Sequence, residues 1–166
     1  MRKIVAFLCL GTLLVAATWA SVALAIEGGT KDAVTGLVWS PSLRTQTGSS
    51  WIWTQCQSRA ADYFVTEGGI TYADWRVATI KELLAAYNNG VMENLAPRSA
   101  DGKIISAGTG GVGSISVWHV WSADWKGNKA WLVKFPVSAD GSRLAGTPIL
   151  ELTTKNFAID SVFVRP

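Results

Sequence analysis

The segment VWHVWSADWKGNKAWLVKF at residues 117–135 carries the clearest indication of fold. Its first half alternates between the two faces of a strand, with Val117, His119 and Trp121 on one face and Trp118 and Val120 on the other. Trp131, Val133 and Phe135 alternate in the same way in the second half. The segment therefore predicts two consecutive strands joined by a polar hairpin turn.

A first helix is predicted to begin near Trp51. Trp53, Cys56, Ala60 and Phe64 recur at spacings of three and four, which places them on one face of a helix. Ser49 or Ser50 can cap its start, and the glycines at 68–69 are expected to end it.

A second helix is predicted to begin at Thr79. The Thr79 hydroxyl and the Glu82 carboxylate have the spacing of a capping box, in which each satisfies a free backbone amide of the first turn. Leu83 and Tyr87 contribute to an apolar face, and the sequence NNG at 88–90 is expected to stop the helix.

The remainder is expected to form strands and loops. Short strands are predicted at residues 37–39 and 161–164, and the segment at 40–50, rich in Ser, Thr, Pro and Gly, is predicted to be a loop. Beyond Asn94, glycines and alternating aromatic residues favour strands without further helices. Early helices before a strand-rich half indicate an α+β fold, and 166 residues correspond to one ordinary domain.

Residues 1–25 have the pattern of a secretory signal peptide. Arg2 and Lys3 precede an almost wholly apolar run, and the sequence ALA at 23–25 is a small-x-small cleavage site. We therefore expect a mature domain at 26–166, a periplasmic or secreted location, and no membrane insertion after cleavage. A retained anchor is the alternative, because the apolar run is close to the shortest that spans a bilayer.

Charge and cysteine content argue against two classes of protein. Loss of Arg2 and Lys3 leaves 13 of the 15 basic residues against 12 acidic ones, so the net charge falls from +3 to +1. Because nucleic-acid-binding domains usually have a basic excess, no nucleic-acid partner is expected. Cys9 leaves with the leader, so the mature chain has no internal disulfide, and Cys56 is predicted to be a buried thiol.

The predicted hairpin is the candidate ligand-binding site. Tryptophan rings stack on the apolar side of sugars, while Asp, Asn and Lys bind hydroxyl or acidic groups. The same residues also fit a solvated turn with Trp121 in the core, and the glycine-rich loop at 106–116 is a possible flank. The predicted ligand-binding residues are Trp118, Trp121, Asp124, Trp125, Lys126, Asn128 and Lys129.

Patterns typical of catalysis or cofactor binding are weak. The glycine run at 108–113 matches a dinucleotide fingerprint but leads into a predicted strand, where the motif does not function. His119, the single histidine, has no nucleophile elbow in the sequence to serve, and one His with one Cys cannot complete a zinc site. We therefore predict a non-enzyme without cofactor, metal or catalytic residues, although calcium held by scattered carboxylates remains an alternative.

Asp74, Trp75 and Arg76 are predicted to have a structural role. A carboxylate and a guanidinium beside an aromatic ring commonly hold a loop against a core. Together with Thr79 and Glu82, these residues form the predicted structural motif at the start of the second helix.

Six segments in order resemble the DUF1566 family, which includes the C-terminal domain of the Legionella collagen-like adhesin. They are TGLVW at 35–39, the helix at 53–63, DWRVATIKEL at 74–83, VWSADW at 120–125, AWLVKF at 130–135 and VFVRP at 162–166. The resemblance spans essentially the whole mature chain. Val77-Ala78 and Ala123 depart from the usual DWRLPT and WSS patterns.

The resemblance implies a C-type-lectin-like fold with two N-terminal helices packed on a twisted antiparallel sheet with long loops. It also implies a secreted or surface protein that binds glycans and can be oligomeric. Phe64 and Phe163 stand where members often have cysteines, which implies apolar packing in place of a disulfide. The calcium-dependent sugar-binding motifs of true C-type lectins are absent.

The expected function is thus a non-catalytic binding module for a glycan or another surface macromolecule. The alternative is a protein-interaction or assembly component of the bacterial cell envelope.

Overall fold

The computed structural model of the chain describes residues 24–26, 29–108 and 116–166. Within these ranges it is a mixed α+β structure with antiparallel sheets and four helices. Nearly all of the predicted leader and the centre of the predicted glycine-rich loop lie outside the described residues. The signal peptide therefore stays a prediction.

The described elements follow one another in a strand-rich order that is interrupted by helices between residues 43 and 95. They are β1 (Leu24–Ile26), β2 (Gly29–Lys31), β3 (Val38–Trp39), α1 (Leu43–Thr47), α2 (Trp53–Asp62), β4 (Val65–Glu67), β5 (Ile70–Tyr72), β6 (Arg76–Val77), α3 (Ile80–Asn88), α4 (Val91–Leu95), β7 (Ala107–Gly108), β8 (Ser116–Lys126), β9 (Lys129–Pro136), β10 (Ile149–Thr154) and β11 (Phe163–Arg165).

One sheet of five short strands brings both ends of the described chain together. Its order is β1-β2-β3-β11-β6, and every pairing is antiparallel. Within it, Val164 of the closing strand pairs with Trp39 on one side and Arg76 on the other. The strands predicted near residues 37–39 and 161–164 are confirmed, the second with bounds one to two residues later.

A second sheet, in the order β10-β9-β8-β7, contains the predicted hairpin. β8 and β9 pair from Val117 opposite Pro136 to Lys126 opposite Lys129, with an irregularity between Trp121 and Trp125. The reversal occurs at Gly127, whose φ of 60° suits a residue without a side chain. The hairpin prediction is confirmed.

The prediction of two N-terminal helices is wrong, because four helices spread over residues 43–95. The first predicted helix is observed as α2 but ends at Asp62, and residues 65–72 form the β4–β5 hairpin instead. Gly68 and Gly69 both have positive φ, so they build the turn of this hairpin rather than a helix end. The predicted loop at 40–50 contains α1, and α4 follows α3 directly after Gly90.

The capping box of α3 is confirmed. The Thr79 backbone amide donates to Glu82 Oε2 at 2.9 Å, and the Glu82 amide donates to Thr79 Oγ1 at 3.3 Å. Glu82 also accepts a hydrogen bond from Arg76 Nη1 at 2.8 Å, which ties β6 to the start of the helix.

Buried side chains form two clusters that share the β8–β9 hairpin. One contains Trp39, Leu83, Trp118, Val133 and Phe135, and the other contains Cys56, Trp75, Trp121, Leu132 and Phe163. Since neighbouring residues of β8 and β9 enter different clusters, both faces of the hairpin are covered at its centre. The prediction of a buried thiol is confirmed, and burial raises the pKa of Cys56 to about 12.

Candidate functional site

Two of the predicted ligand-binding tryptophans belong to the core. Trp118 and Trp121 are almost fully buried, and each indole N–H is already used: Trp118 donates to Asp160 Oδ2 at 2.8 Å and Trp121 donates to the Trp51 carbonyl at 3.1 Å. Their prediction as ligand contacts is wrong, because β8 is an inner strand whose faces both pack against other elements.

Asp124 has a structural contact of its own. It is half-buried, and its Oδ2 accepts a hydrogen bond at 2.7 Å from the backbone amide of Ile80 in the first turn of α3. This carboxylate therefore caps the helix from the hairpin, where the partial positive charge of a helix N-terminus favours an anion. Asp124 is therefore not directed towards a ligand, contrary to the prediction from the sequence.

The remaining predicted residues lie together at the exposed end of the hairpin. Trp125 is 60% exposed, and Lys126, Asn128 and Lys129 are also exposed around the turn. Lys126 and Lys129 are directly opposed in the β8–β9 register. Because neighbouring strand residues project to opposite faces, Lys126 and Lys129 share the face opposite to that of Trp125. The end of the hairpin thus carries an accessible indole on one face and two ammonium groups on the other.

Lys155, just after β10, completes this surface and was missed in the sequence analysis. Its Nζ lies 4.3 Å from the ring centroid of Trp53 and 4.3 Å from that of Trp125, and it donates to the Gly127 carbonyl at 3.3 Å. A cation at this distance is attracted to the face of an indole ring. Lys155 could have been located by predicting β10 as a third strand that pairs with β9. That strand was not predicted from the sequence.

Trp53 anchors the same surface from α2. Its indole N–H donates to the Ser122 carbonyl at 2.8 Å, and its backbone amide donates to the Lys155 carbonyl at 3.1 Å. Two elements distant in sequence therefore hold Lys155 between two rings. We call this group the tryptophan–lysine surface; its members are Trp53, Trp125, Lys126, Asn128, Lys129 and Lys155.

The tryptophan–lysine surface is positively charged. Within the described part of the chain, no carboxylate forms an ion pair with Lys126, Lys129 or Lys155; the ion pairs found there join other residues. An aromatic ring beside one ammonium group, with two more ammonium groups at the same end of the hairpin, can bind a ligand that combines an apolar face with negative charge.

The predicted Asp74-Trp75-Arg76 motif is rearranged. Trp75 is buried against Tyr63, with ring centroids 5.1 Å apart in an edge-on arrangement, as expected for a ring that holds a loop on the core. Arg76 pairs with Glu82 rather than with Asp74, which is exposed. The guanidinium near the Trp75 ring belongs to Arg165, at 5.5 Å from its centroid.

The aromatic packing implied for Phe64 and Phe163 is half right. Phe163 is fully buried, but Phe64 is 66% exposed, beyond the end of α2. Tyr63 takes the inner position instead, with its ring centroid 5.4 Å from that of Phe163. Tyr63 and Phe64 are adjacent at the end of α2 but point in different directions, so the Tyr63 ring packs inward and the Phe64 ring does not.

His119 lines a small cleft beside the ion pair of Lys134 and Glu151. Burial, helped by the Lys134 charge, lowers the pKa of His119, and its Nε2 has no hydrogen-bond partner among the described residues. The described residues contain no group of three or more His, Cys, Asp or Glu side chains placed to hold a metal ion. None of the described helices has the length and apolar character needed to cross a membrane.

Comparison with protein-family models, with curated proteins and with solved structures found no match to this chain. The resemblance to the DUF1566 family and the C-type-lectin-like fold therefore remain predictions.

Proposed function

We propose that the protein is a non-catalytic binding module of the bacterial cell envelope or exterior, and that the tryptophan–lysine surface binds an anionic glycan. The observation that carries this proposal is the exposed Trp125 ring, with Lys155 Nζ 4.3 Å from its centroid, at a hairpin end that also carries Lys126 and Lys129. An indole stacks on the apolar face of a sugar, while ammonium groups attract its carboxylate or sulfate groups.

Two features of this surface favour binding without rearrangement. Lys155 is held between two rings and a carbonyl, so its ammonium group loses little freedom when an anion arrives. The hairpin strands beneath Trp125 are paired up to the turn, so the ring projects from ordered backbone. Membership of the DUF1566 family, a C-type-lectin-like fold and signal-directed secretion belong to the same proposal.

The proposal is tested by binding of residues 26–166 to immobilised sulfated and uronic-acid polysaccharides at low and physiological salt. Selective binding that persists at physiological salt supports it, whereas a signal confined to low salt indicates mere charge attraction. Trp125→Ala is expected to weaken binding by about fivefold or more, since stacking on an aromatic ring is worth about 1 to 3 kcal/mol.

Trp121→Ala provides the matched comparison on the same strand. Because Trp121 is buried, its loss is expected to cost about 3 to 5 kcal/mol of unfolding free energy, whereas Trp125→Ala leaves the melting temperature nearly unchanged. A large loss of stability in Trp125→Ala would place this ring in the folding core and remove it from the site.

A role in envelope assembly is the second candidate function. Phe64, just before the β4–β5 hairpin, and Ile70, within it, are exposed large apolar side chains, which are available for contact with a protein partner. Capture from an envelope fraction, followed by glycosidase treatment, separates the two candidates. A glycan-bound target is released by the glycosidase, and a protein target is retained.

A further inference from the structure

A cavity that shares no lining residue with the tryptophan–lysine surface lies in the cleft between α1 and α2. It measures about 530 Å³, within the range of small-ligand sites; the half-buried rings of Trp51 and Tyr63 line it, and the buried Leu43 and Phe163 lie beneath them. Because neither helix was predicted with its observed bounds, the sequence did not indicate this cleft.

One wall of the cleft is a fixed tryptophan. Trp51 pairs with Ile159 through two backbone hydrogen bonds of 3.0 Å, and its indole N–H donates to Thr47 Oγ1 at 3.2 Å. The Arg59 guanidinium carbon lies 4.1 Å from the centroid of the Trp51 ring. The ring therefore restrains Arg59, whose N–H donors can also serve a ligand.

The amide side chains of Gln46 and Gln55 line the same cleft, and each has one polar group available to bind a ligand. Gln46 uses its NH₂ group to donate to the Pro41 carbonyl at 2.7 Å, so its oxygen remains as an acceptor. Gln55 uses its oxygen to accept from the Ile52 amide at 3.2 Å, so its NH₂ group remains as a donor. The cleft thus offers both kinds of hydrogen-bonding group.

The residues that line the cleft carry no net charge, because one basic and one acidic side chain are present among them. Arg59 and Asp62 are its two charged lining residues, and they do not form an ion pair with each other in the structure. Hydroxyl groups of Thr54 and Ser58 lie along the same helix face. This differs from the tryptophan–lysine surface, which carries three ammonium groups.

We infer that the α1–α2 cleft is a second binding site, and that it takes an uncharged, polyhydroxylated ligand, namely a neutral sugar residue. Sugar hydroxyls both donate and accept, so they can bind Asp62 and Arg59, while the half-buried rings of Trp51 and Tyr63 offer apolar surface to the carbon-rich face of the sugar. The site goes beyond the proposed function, because it requires neither Trp125 nor a negative charge on the ligand.

Indole N–H resonances in nuclear magnetic resonance spectra test this inference, because Trp51 and Trp125 report the two sites separately. The probes are glucose, galactose, mannose, N-acetylglucosamine and their disaccharides, titrated singly at low and physiological salt. At least one is expected to shift the Trp51 resonance saturably, equally at both salt concentrations, and to leave the Trp125 resonance in place. No saturable shift at Trp51 with any of these sugars would overturn the inference.

Variants locate the binding groups. Arg59→Gln and Asp62→Asn are each expected to weaken binding about tenfold, as for loss of a hydrogen bond to a charged group, while Arg143→Gln, an exposed residue elsewhere, leaves it unchanged. Undiminished affinity for the sugar in both Arg59→Gln and Asp62→Asn would also overturn the inference of a second binding site. Trp125→Ala should weaken binding of anionic polysaccharide without affecting binding of the neutral sugar, so the two proposals can fail independently.

Discussion

Three tryptophans along β8 differ in what satisfies the polar N–H group of their rings. Trp118 and Trp121 find buried acceptors on distant segments, whereas Trp125 lies beyond the irregularity in the strand and remains exposed. Such an acceptor stabilises a buried indole, because a lost hydrogen bond in the interior costs more than the bond is worth at the surface. Packing can also bury a ring without one, since the Nε1 of fully buried Trp39 has no partner among the described residues. Packing against distant segments, rather than the residue type, decides which ring is available to a ligand.

Also at the residue scale, we expect Glu82→Gln to alter the acid stability of the protein. Hydrogen bonds from Arg76 and from Thr79 lower the pKa of Glu82 from 4.5 to about 2. Since the folded pKa is the lower one, this stabilisation is present above pH 4.5 and is lost as the pH falls towards 2. The variant should lose about 1 to 2 kcal/mol of unfolding free energy at pH 7 and show a shallower decline in acid.

Urea denaturation at several pH values measures this effect. Asp74→Asn is the matched control, because Asp74 is exposed and precedes the same helix. Parallel pH profiles of Glu82→Gln and the unmodified protein would contradict the assigned role of the Arg76–Glu82 contact.

At the scale of elements, the start of α3 is capped both by residues at its own N-terminus and by a residue of the β8–β9 hairpin. Thr79 and Glu82 cap it from within, and Asp124 reaches it from the hairpin, 44 residues away in sequence. Because each unpaired amide of a helix N-terminus costs free energy, these contacts couple the helix to the sheet.

We therefore expect Asp124→Ala to destabilise the protein by about 0.5 to 2 kcal/mol through loss of this cap. Amide hydrogen exchange should accelerate most in the first turn of α3, at Ile80. Lys126→Ala, at an exposed position of the same hairpin, serves as the comparison and should leave exchange in α3 unchanged. Exchange that accelerates equally throughout the sheet and the helix would contradict a local capping role.

At the scale of the whole molecule, the two buried clusters are joined by the β8–β9 hairpin. Leu83 lies in one cluster and Leu132 in the other, and strands β8 and β9 contribute to both. Clusters that share a central pair of strands are expected to unfold together.

Leu83→Ala and Leu132→Ala should each lower the unfolding free energy by about 2 to 5 kcal/mol while preserving a single transition. Coincident urea curves from tryptophan fluorescence and far-ultraviolet circular dichroism provide the measurement. Exposed Leu150→Ala is the control and should change stability little. Two separate transitions in either core variant would show that the clusters are independent.

The features predicted correctly depend on residues close together in the chain. The alternation along β8 and β9, the Thr79–Glu82 capping box and the apolar helix face around Cys56 each follow from local periodicity or from a hydrogen bond spanning three residues. The end of α2 was misplaced because a pair of glycines suits both a helix end and a hairpin turn.

The sequence by itself therefore determined the mixed α+β class, the central hairpin, one helix cap and the basic, aromatic character of the hairpin turn. The tertiary structure alone decided which tryptophans are buried, placed Lys155 between Trp53 and Trp125, directed Asp124 to a helix, and opened the α1–α2 cleft. The physical reason is that exposure and contact depend on packing between segments distant in sequence, which local periodicity does not encode.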